Sequence, residues 1–394
     1  MNRALLAAAV LAGACGAAAA AEWRFDPVVT LSLQHASNPR RAAVHPGGDS
    51  SGTLDAELRL SRRTPRDLFT IAYEPTIERF SDQTDLDNTA HNASFVYTRT
   101  ESRLFSWGAS GGWRRADRQR VDLGALEPAG TLPSLPHTRE TSWSGRLDGA
   151  WTTSPLTTLS ATLDVLKRRN ELLDAPAGEP DANDGRTVDL RVGWRRSLSP
   201  LSALRVDYRG SRIDEGVFGS SDVHRAYVGY VRGATDRLTL TFELGVAASK
   251  PRDVPAGADD ARKTRLVGGV VAEGAVGRRA RVYASVSRDV SGSGGALGAG
   301  VDDAATVSYG LPIGRFSSFD VGGGYTRFKP DAFAAGATPA TRAWSGRAQY
   351  RLGFSAQWGM VFAAERFDQS SDLAELSYAD TRWSVGLRWS PLAR

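Results

Sequence analysis

The sequence predicts an all-β chain folded as a transmembrane antiparallel β-barrel of about 18 strands, with 16 as the nearest alternative count. Three observations carry this. Apolar and polar residues alternate with period two through nearly the whole chain after residue 21. The connections between alternating segments are themselves alternately short and long. The composition pairs 41 Gly with 10 Trp, 10 Tyr and 14 Phe, yet 24% of residues are charged and the mean hydropathy is −0.31. Beyond the N-terminal stretch no apolar run approaches the length of a helical span, which excludes a helical membrane protein. A single Cys excludes a disulfide scaffold and a Cys-based zinc or iron–sulfur site.

The N-terminus comes first. Arg3, the apolar run Ala4–Ala14 and Ala19-Ala20-Ala21 form the three parts of a secretory leader, so residues 1–21 are expected to be a signal peptide and 22–394 the barrel. Cys15, after Ala12-Gly13-Ala14, is either removed with the leader or a lipidation site.

The strands follow in order. The segments run 23–34, 52–62, 67–79, 90–100, 103–115, 139–152, 156–168, 186–196, 201–212, 222–233, 237–249, 262–273, 279–289, 302–311, 315–328, 341–352, 354–366 and 378–390. Leu54, Ala56, Leu58 and Leu60 alternate with Asp55, Glu57 and Arg59; Trp143 to Trp151 and Trp383 to Trp389 repeat the pattern. The registers of segments 222–233 and 262–273 are ambiguous, so their lumen-facing residues are not assigned. Short turns contain Thr64-Pro65, Ser154-Pro155, Ser199-Pro200, Thr235-Asp236 and Gly353; long loops span 35–51, 116–138, 169–185, 250–261 and 329–340. A strict alternation of turn lengths puts all tight turns at one end and all long loops at the other. Outer-membrane barrels have this asymmetry, with short periplasmic turns and long extracellular loops. Hydrocarbon offers no partner for backbone polar groups, so a spanning sheet must close on itself. A soluble propeller would need short turns throughout each blade and a recurring signature, and neither is present.

Side-chain roles follow from the alternation. The apolar face is expected to meet lipid, with Trp143, Trp151, Trp194, Trp344, Tyr350, Trp383 and Trp389 at the membrane interfaces. The polar face is expected to line the lumen through Glu57, Arg59, Glu74, Glu78, Arg146, Asp148, Asp189, Arg191, Arg205, Asp207, Arg209, Arg347, Arg351, Arg382 and Arg388. Carboxylates concentrate early and arginines late, so on closure the two groups lie either side by side or opposed across the pore. Few aromatics fall on the inner face in this reading. The loop 116–138 carries Val121, Leu123, Ala125 and Leu126 and is expected either to fold into the barrel or to cap it.

A formal charge of +5 favours anionic partners, lipopolysaccharide phosphates among them, besides the outer-membrane lipids themselves. No nucleic acid is expected. The five His (His35, His45, His91, His137, His224) lie in no nucleophile or metal motif, so no enzyme, cofactor or metal site is expected.

Two resemblances add to this. Trp383-Ser384-Val385-Gly386-Leu387-Arg388-Trp389 resembles the C-terminal targeting strand of outer-membrane barrels, which implies the barrel-assembly machinery as a partner. Its departure is that Ser390–Arg394 follow the last aromatic. The first hundred residues are similar to outer-membrane barrels associated with exopolysaccharide secretion. The matching stretches are Trp23 to Asn38-Pro39, Ser61-Arg62-Arg63-Thr64-Pro65-Arg66, Tyr73-Glu74-Pro75 and Asp85-Leu86-Asp87-Asn88-Thr89-Ala90-His91. That resemblance implies polysaccharide export across the bacterial outer membrane, with a periplasmic export protein as partner. The alternative is a diffusion porin for small hydrophilic solutes.

Overall fold

The structure is a computed structural model of the chain and describes residues 22–40, 47–117, 138–172, 184–214, 220–252, 262–277, 279–292, 299–330, 340–372 and 377–391. The signal-peptide expectation, Cys15 and the apolar stretch of the 116–138 loop lie outside the described residues. Eighteen strands are formed: β1 (Glu22–Ala36), β2 (Asp49–Arg63), β3 (Asp67–Phe80), β4 (Asn88–Thr100), β5 (Phe105–Asp117), β6 (Thr138–Ser154), β7 (Thr157–Leu172), β8 (Gly185–Ser199), β9 (Ser202–Asp214), β10 (Ser220–Thr235), β11 (Leu238–Pro251), β12 (Lys263–Val276), β13 (Ala280–Gly292), β14 (Ala299–Ile313), β15 (Ser317–Pro330), β16 (Thr341–Gly353), β17 (Trp358–Ser371) and β18 (Tyr378–Trp389).

Each strand pairs antiparallel with its neighbours in sequence, and β18 returns to β1 through Val29↔Trp389 to Ala36↔Arg382. The ring is therefore closed, and backbone groups that an open edge would leave bare are bonded. Eighteen strands spaced and tilted as in such barrels give a backbone diameter of about 36 Å.

The eight short connections have a common chemistry. In six, a hydroxyl at the end of one strand accepts a backbone N–H from the turn: Thr64 from Asp67, Ser102 from Leu104, Ser154 from Leu156, Ser199 from Leu201, Thr235 from Arg237 and Ser355 from Gln357. In the other two, Gly277 and Gly314 take positive φ (66° and 72°), a conformation that disfavours any side chain. Three of the tightest turns follow a bulge in the incoming strand, near Thr153, Leu198 and Ala234. The rim is cross-tied as well: Thr152, Ser197, Gly233 and Ala275 donate to the carbonyls of Leu104, Leu156, Leu201 and Arg237. In the turn before β5, the Trp107 indole and Arg99 hold the exposed Glu101 carboxyl below its ordinary range.

The register separates two faces. Leu54 opposes Leu31, and Leu31 opposes Leu387, on a face whose large apolar side chains are exposed (Leu33 67%, Leu266 65%, Leu244 62%). That face is explained by lipid, since in water it would be a continuous sticky belt. Aromatic pairs bound it. Towards the loop end Trp113 opposes Trp143, and Tyr325 meets Trp344 with ring centroids 4.4 Å apart. Towards the turn end Phe105 opposes Trp151, Phe319 opposes Tyr350, and Trp358 lies beside Trp389 at 6.4 Å. Trp194 shares the outer face opposite Leu159, and Trp383 is exposed opposite His35. Trp143 and Trp151 are eight residues apart on one strand, about 27 Å along it and about 20 Å along the membrane normal.

Candidate functional site: the arginine-lined lumen

The opposite face carries the charge. On β2 and β3 it presents Glu57 and Arg59, which pair at 2.6 Å, Glu74, which accepts from Asn92 at 3.0 Å, and Glu78, which accepts from Ser51 at 3.1 Å and from Gln34. On β6 and β7, Arg146 lies 3.8 Å from Asp148 and 3.7 Å from Asp164. On β16 to β18, Arg347 faces Glu365 at 3.4 Å and Arg382 faces Asp380 at 2.7 Å, while Arg351 and Arg388 lie nearer the turn end. The early carboxylates and late arginines lie side by side: Arg388 opposes Thr30, which opposes Asp55. The opposed arrangement is therefore not the one formed.

The densest feature spans β8 to β10. Arg191 opposes Arg209, and Arg209 opposes Arg225, so three guanidinium side chains share one row on three adjacent strands. Four residues nearer the turn end, Arg195 opposes Arg205. Like charges in direct opposition repel, so each row needs relief. Arg205 finds it in Asp207 at 2.6 Å and, reaching across β10, in Glu243 of β11 at 2.9 Å. Gly229 makes that reach possible, because a Cβ there would lie 2.6 Å from the Arg205 side chain. Arg191 and Arg195 have no hydrogen bond or ion pair among the described residues. The nearby carboxylates Asp189 and Asp207 are already bonded, to Ser211 and Arg205.

Arg225 and Arg209 are relieved by a distant segment. β13 pairs with β12 only as far as Arg288↔Gly268; beyond that, β13 pairs with β14 alone and β12 with β11 alone. The freed end of β13 lies against the inner face, where Val290 packs with Ile213, Val223, Ala247 and Val267 of β9 to β12, all almost fully buried. Asp289 accepts from the Tyr227 hydroxyl at 2.8 Å and pairs with Arg225 at 3.0 Å and Arg209 at 3.9 Å. Arg225 also donates from Nε to the Val290 carbonyl at 2.9 Å and from Nη1 to Ser211 at 2.7 Å. The barrel interior is thus narrowed towards its loop end by its own β13. Beside this narrowing a cleft of about 640 Å³ follows the wall of β4 to β10, lined by Ser110, Arg146, Asp164, Asp189, Arg209 and Arg225.

Sequence reasoning missed Arg225, Tyr227 and Asp289. The first two lie on the strand whose face was ambiguous, and no local signal marks Asp289 as the residue that turns inward. The inner face also holds more aromatics than the alternation suggested: Tyr227, Tyr283, Phe328, and Phe367 stacked on Tyr378 at 5.4 Å. Phe367 and Tyr378 were overlooked because they sit at loop-end strand positions, where the alternation fades into the loops.

No family model matches the chain, and no curated protein matches it. Among solved structures it is similar to OccK2 (OpdF) of Pseudomonas aeruginosa in complex with glucuronate, at 11% identity and TM-score 0.48, covering 94% of this chain and 99% of that one. It is similar to Pseudomonas aeruginosa OpdK with vanillate at 10% identity and TM-score 0.47, covering 93% and 98%. It is also similar to the siderophore receptor PirA from Pseudomonas aeruginosa at 9% identity and TM-score 0.44, covering 94% and 81%. At these identities no residue of the lumen is carried over from them.

Proposed function

We propose that the protein is an outer-membrane diffusion channel for small hydrophilic solutes that favours anions, with its turn end in the periplasm and its loop end outside. The observation that carries this is the pair of arginine rows on β8 to β10, in which arginines stand opposite one another on adjacent strands and Arg191 and Arg195 make no direct hydrogen bond or ion pair among the described residues. A guanidinium fork in a confined aqueous space attracts carboxylate and phosphate groups and binds them bidentately without trapping them for long when the sites are multiple. Reconstitution in planar bilayers tests the reading. The purified barrel is expected to give discrete conductance steps with a reversal potential on the anion side in a KCl gradient. Arg191→Gln with Arg195→Gln should move that potential towards zero. Absence of conductance sinks the channel; a cation preference in the parent sinks the anion assignment alone.

A second reading is export of a polysaccharide through the same lumen, in company with a periplasmic export protein. It is favoured by the inner-face aromatics, Phe367 on Tyr378 and Tyr227 among them, since aromatic rings suit the apolar faces of sugars. The resemblance in the first hundred residues points the same way. Deleting the gene and assaying surface polysaccharide separates the readings: lost polymer supports export, and unchanged polymer with slowed anion uptake supports the channel.

A further inference from the structure

The outer face at the loop end carries a second basic cluster, unrelated to the lumen. One row of directly opposed residues runs Trp113, Trp143, Lys167, Arg186 across β5 to β8. The row beyond it, nearer the loops, runs His91, Arg115, Thr141, Arg169 across β4 to β7. Lys167, Arg186 and Arg115 are exposed and have no hydrogen bond or ion pair among the described residues. A cleft of about 440 Å³ opens beside them, lined by Arg79, Asp87, Thr89, His91, Arg115 and Arg139. The acids of this sector are few. Asp87 lies 3.6 Å from Arg79, Glu171 lies 4.0 Å from Arg169, Asp117 stands opposite Arg139, and Asp214 stands opposite Arg186. Elsewhere on the same rim several outward cations are matched, Arg252 with Asp222 at 2.5 Å, Arg288 with Asp303 at 3.2 Å and Arg366 with Asp368 at 3.5 Å, while Arg327 opposite Arg342 forms a smaller cationic pair outside the sector.

We infer that this sector binds the phosphate groups of an outer-leaflet glycolipid. Lys167 directly opposite Arg186 is a repulsive pair on a lipid-facing strand surface, and an anion held between two adjacent cations relieves that repulsion. Trp113 and Trp143 sit in the same row and mark the depth at which headgroups begin. A bisphosphorylated glucosamine lipid supplies phosphates at that depth while its acyl chains lie along the apolar face below. One phosphate falls to Lys167 and Arg186, and the other to Arg115 with the cleft beside it. His91, held by the Tyr73 hydroxyl at 2.8 Å, borders the cleft as a further donor. The inference rests on the loop end facing outward, as proposed above, and is independent of what the lumen passes.

The test uses the full barrel refolded in zwitterionic detergent, its folding verified by heat-modifiable migration. The probes are bisphosphorylated lipid A, a phosphate-free analogue with the same acyl chains, and inorganic phosphate. Lipid A is expected to bind at least about tenfold more tightly than the phosphate-free analogue. Lys167→Gln, Arg186→Gln and Arg115→Gln combined should abolish that preference, while Arg366→Gln leaves it intact. Equal binding of the two lipids by the parent barrel overturns the site whatever the variants do. Displacement of lipid A by millimolar inorganic phosphate makes it a free-anion site and overturns the lipid assignment. If the chain fails to fractionate with the outer membrane, the location is wrong rather than the site's chemistry.

Discussion

Arg225 and Asp289, 64 positions apart in the chain, meet at 3.0 Å on the inner face of the barrel, and Arg225 is only 4% exposed. The pair fastens the free end of β13 to β10, three strands away around the wall. A buried guanidinium stripped of its partner is costly, whereas removing the guanidinium leaves a carboxylate that water can still reach. Asp289→Asn keeps a hydrogen-bonding side chain beside Arg225 but removes its counter-ion. It is expected to cost about 2–3 kcal/mol in urea unfolding from lipid vesicles. Arg225→Ala should instead free β13 and raise the frequency of large conductance steps. Unchanged stability and unchanged conductance in both variants would show that the fastening carries no load.

The rows on β8 to β10 act through charge, so their influence must fade with salt. The Debye length falls from about 10 Å at 0.1 M to about 3 Å at 1 M. Anion preference measured by reversal potential should decline over that range, and more steeply in the parent than in Arg191→Gln, Arg195→Gln. A preference independent of salt would point to pore size instead.

Gly229 lets Arg205 cross β10 to Glu243. Gly229→Val puts a branched side chain where the Arg205 stem now lies. The expected outcome is a folded barrel, because Val suits a strand, with altered ion selectivity and a stability change within about 1–3 kcal/mol of the parent. Loss of folding would mean that the close approach is a packing requirement of the wall rather than a feature of the lumen.

The two faces should respond differently to the same substitution. Leu244, 62% exposed in mid-strand on the lipid face, is expected to cost about 2–4 kcal/mol when changed to Arg. Thr241→Arg, on the inner face of the same strand, should leave stability nearly unchanged and shift selectivity further towards anions. Vesicle unfolding titrations and reversal potentials on the two variants decide this. Equal costs at both positions would contradict the assignment of faces.

Ser199 accepts the Leu201 N–H in a two-residue turn, as Thr64, Ser102, Ser154, Thr235 and Ser355 do in theirs. Ser199→Ala is expected to cost about 0.5–1.5 kcal/mol, measured in the same titration. Gly314→Ala, at a φ of 72°, should cost about 1–2 kcal/mol for a different reason, the clash of Cβ with its own backbone. A neutral result at both sites would mean that the rim cross-ties, not the turns, hold the strand ends.

Strand number, antiparallel order and the two ends of the barrel were legible in the sequence because each rests on a local signal. Alternation reports which residues share a face, and the Ser or Thr at six of the eight tight turns reports where a strand must end. The closed ring follows from the same pattern, since an apolar outer face with no covering layer is stable only in lipid and an open edge is not. The path of β13 was not legible. Val223 and Val267 make the inner faces of β10 and β12 partly apolar, and that blurred the period-two signal exactly where it was needed. Their apolar character has its reason in Val290, which covers them from the inward end of β13. Contact between residues that distant leaves no periodic trace, so the sequence determined the wall and its two faces, while the tertiary structure decided how the interior is narrowed and which arginines form direct ion pairs.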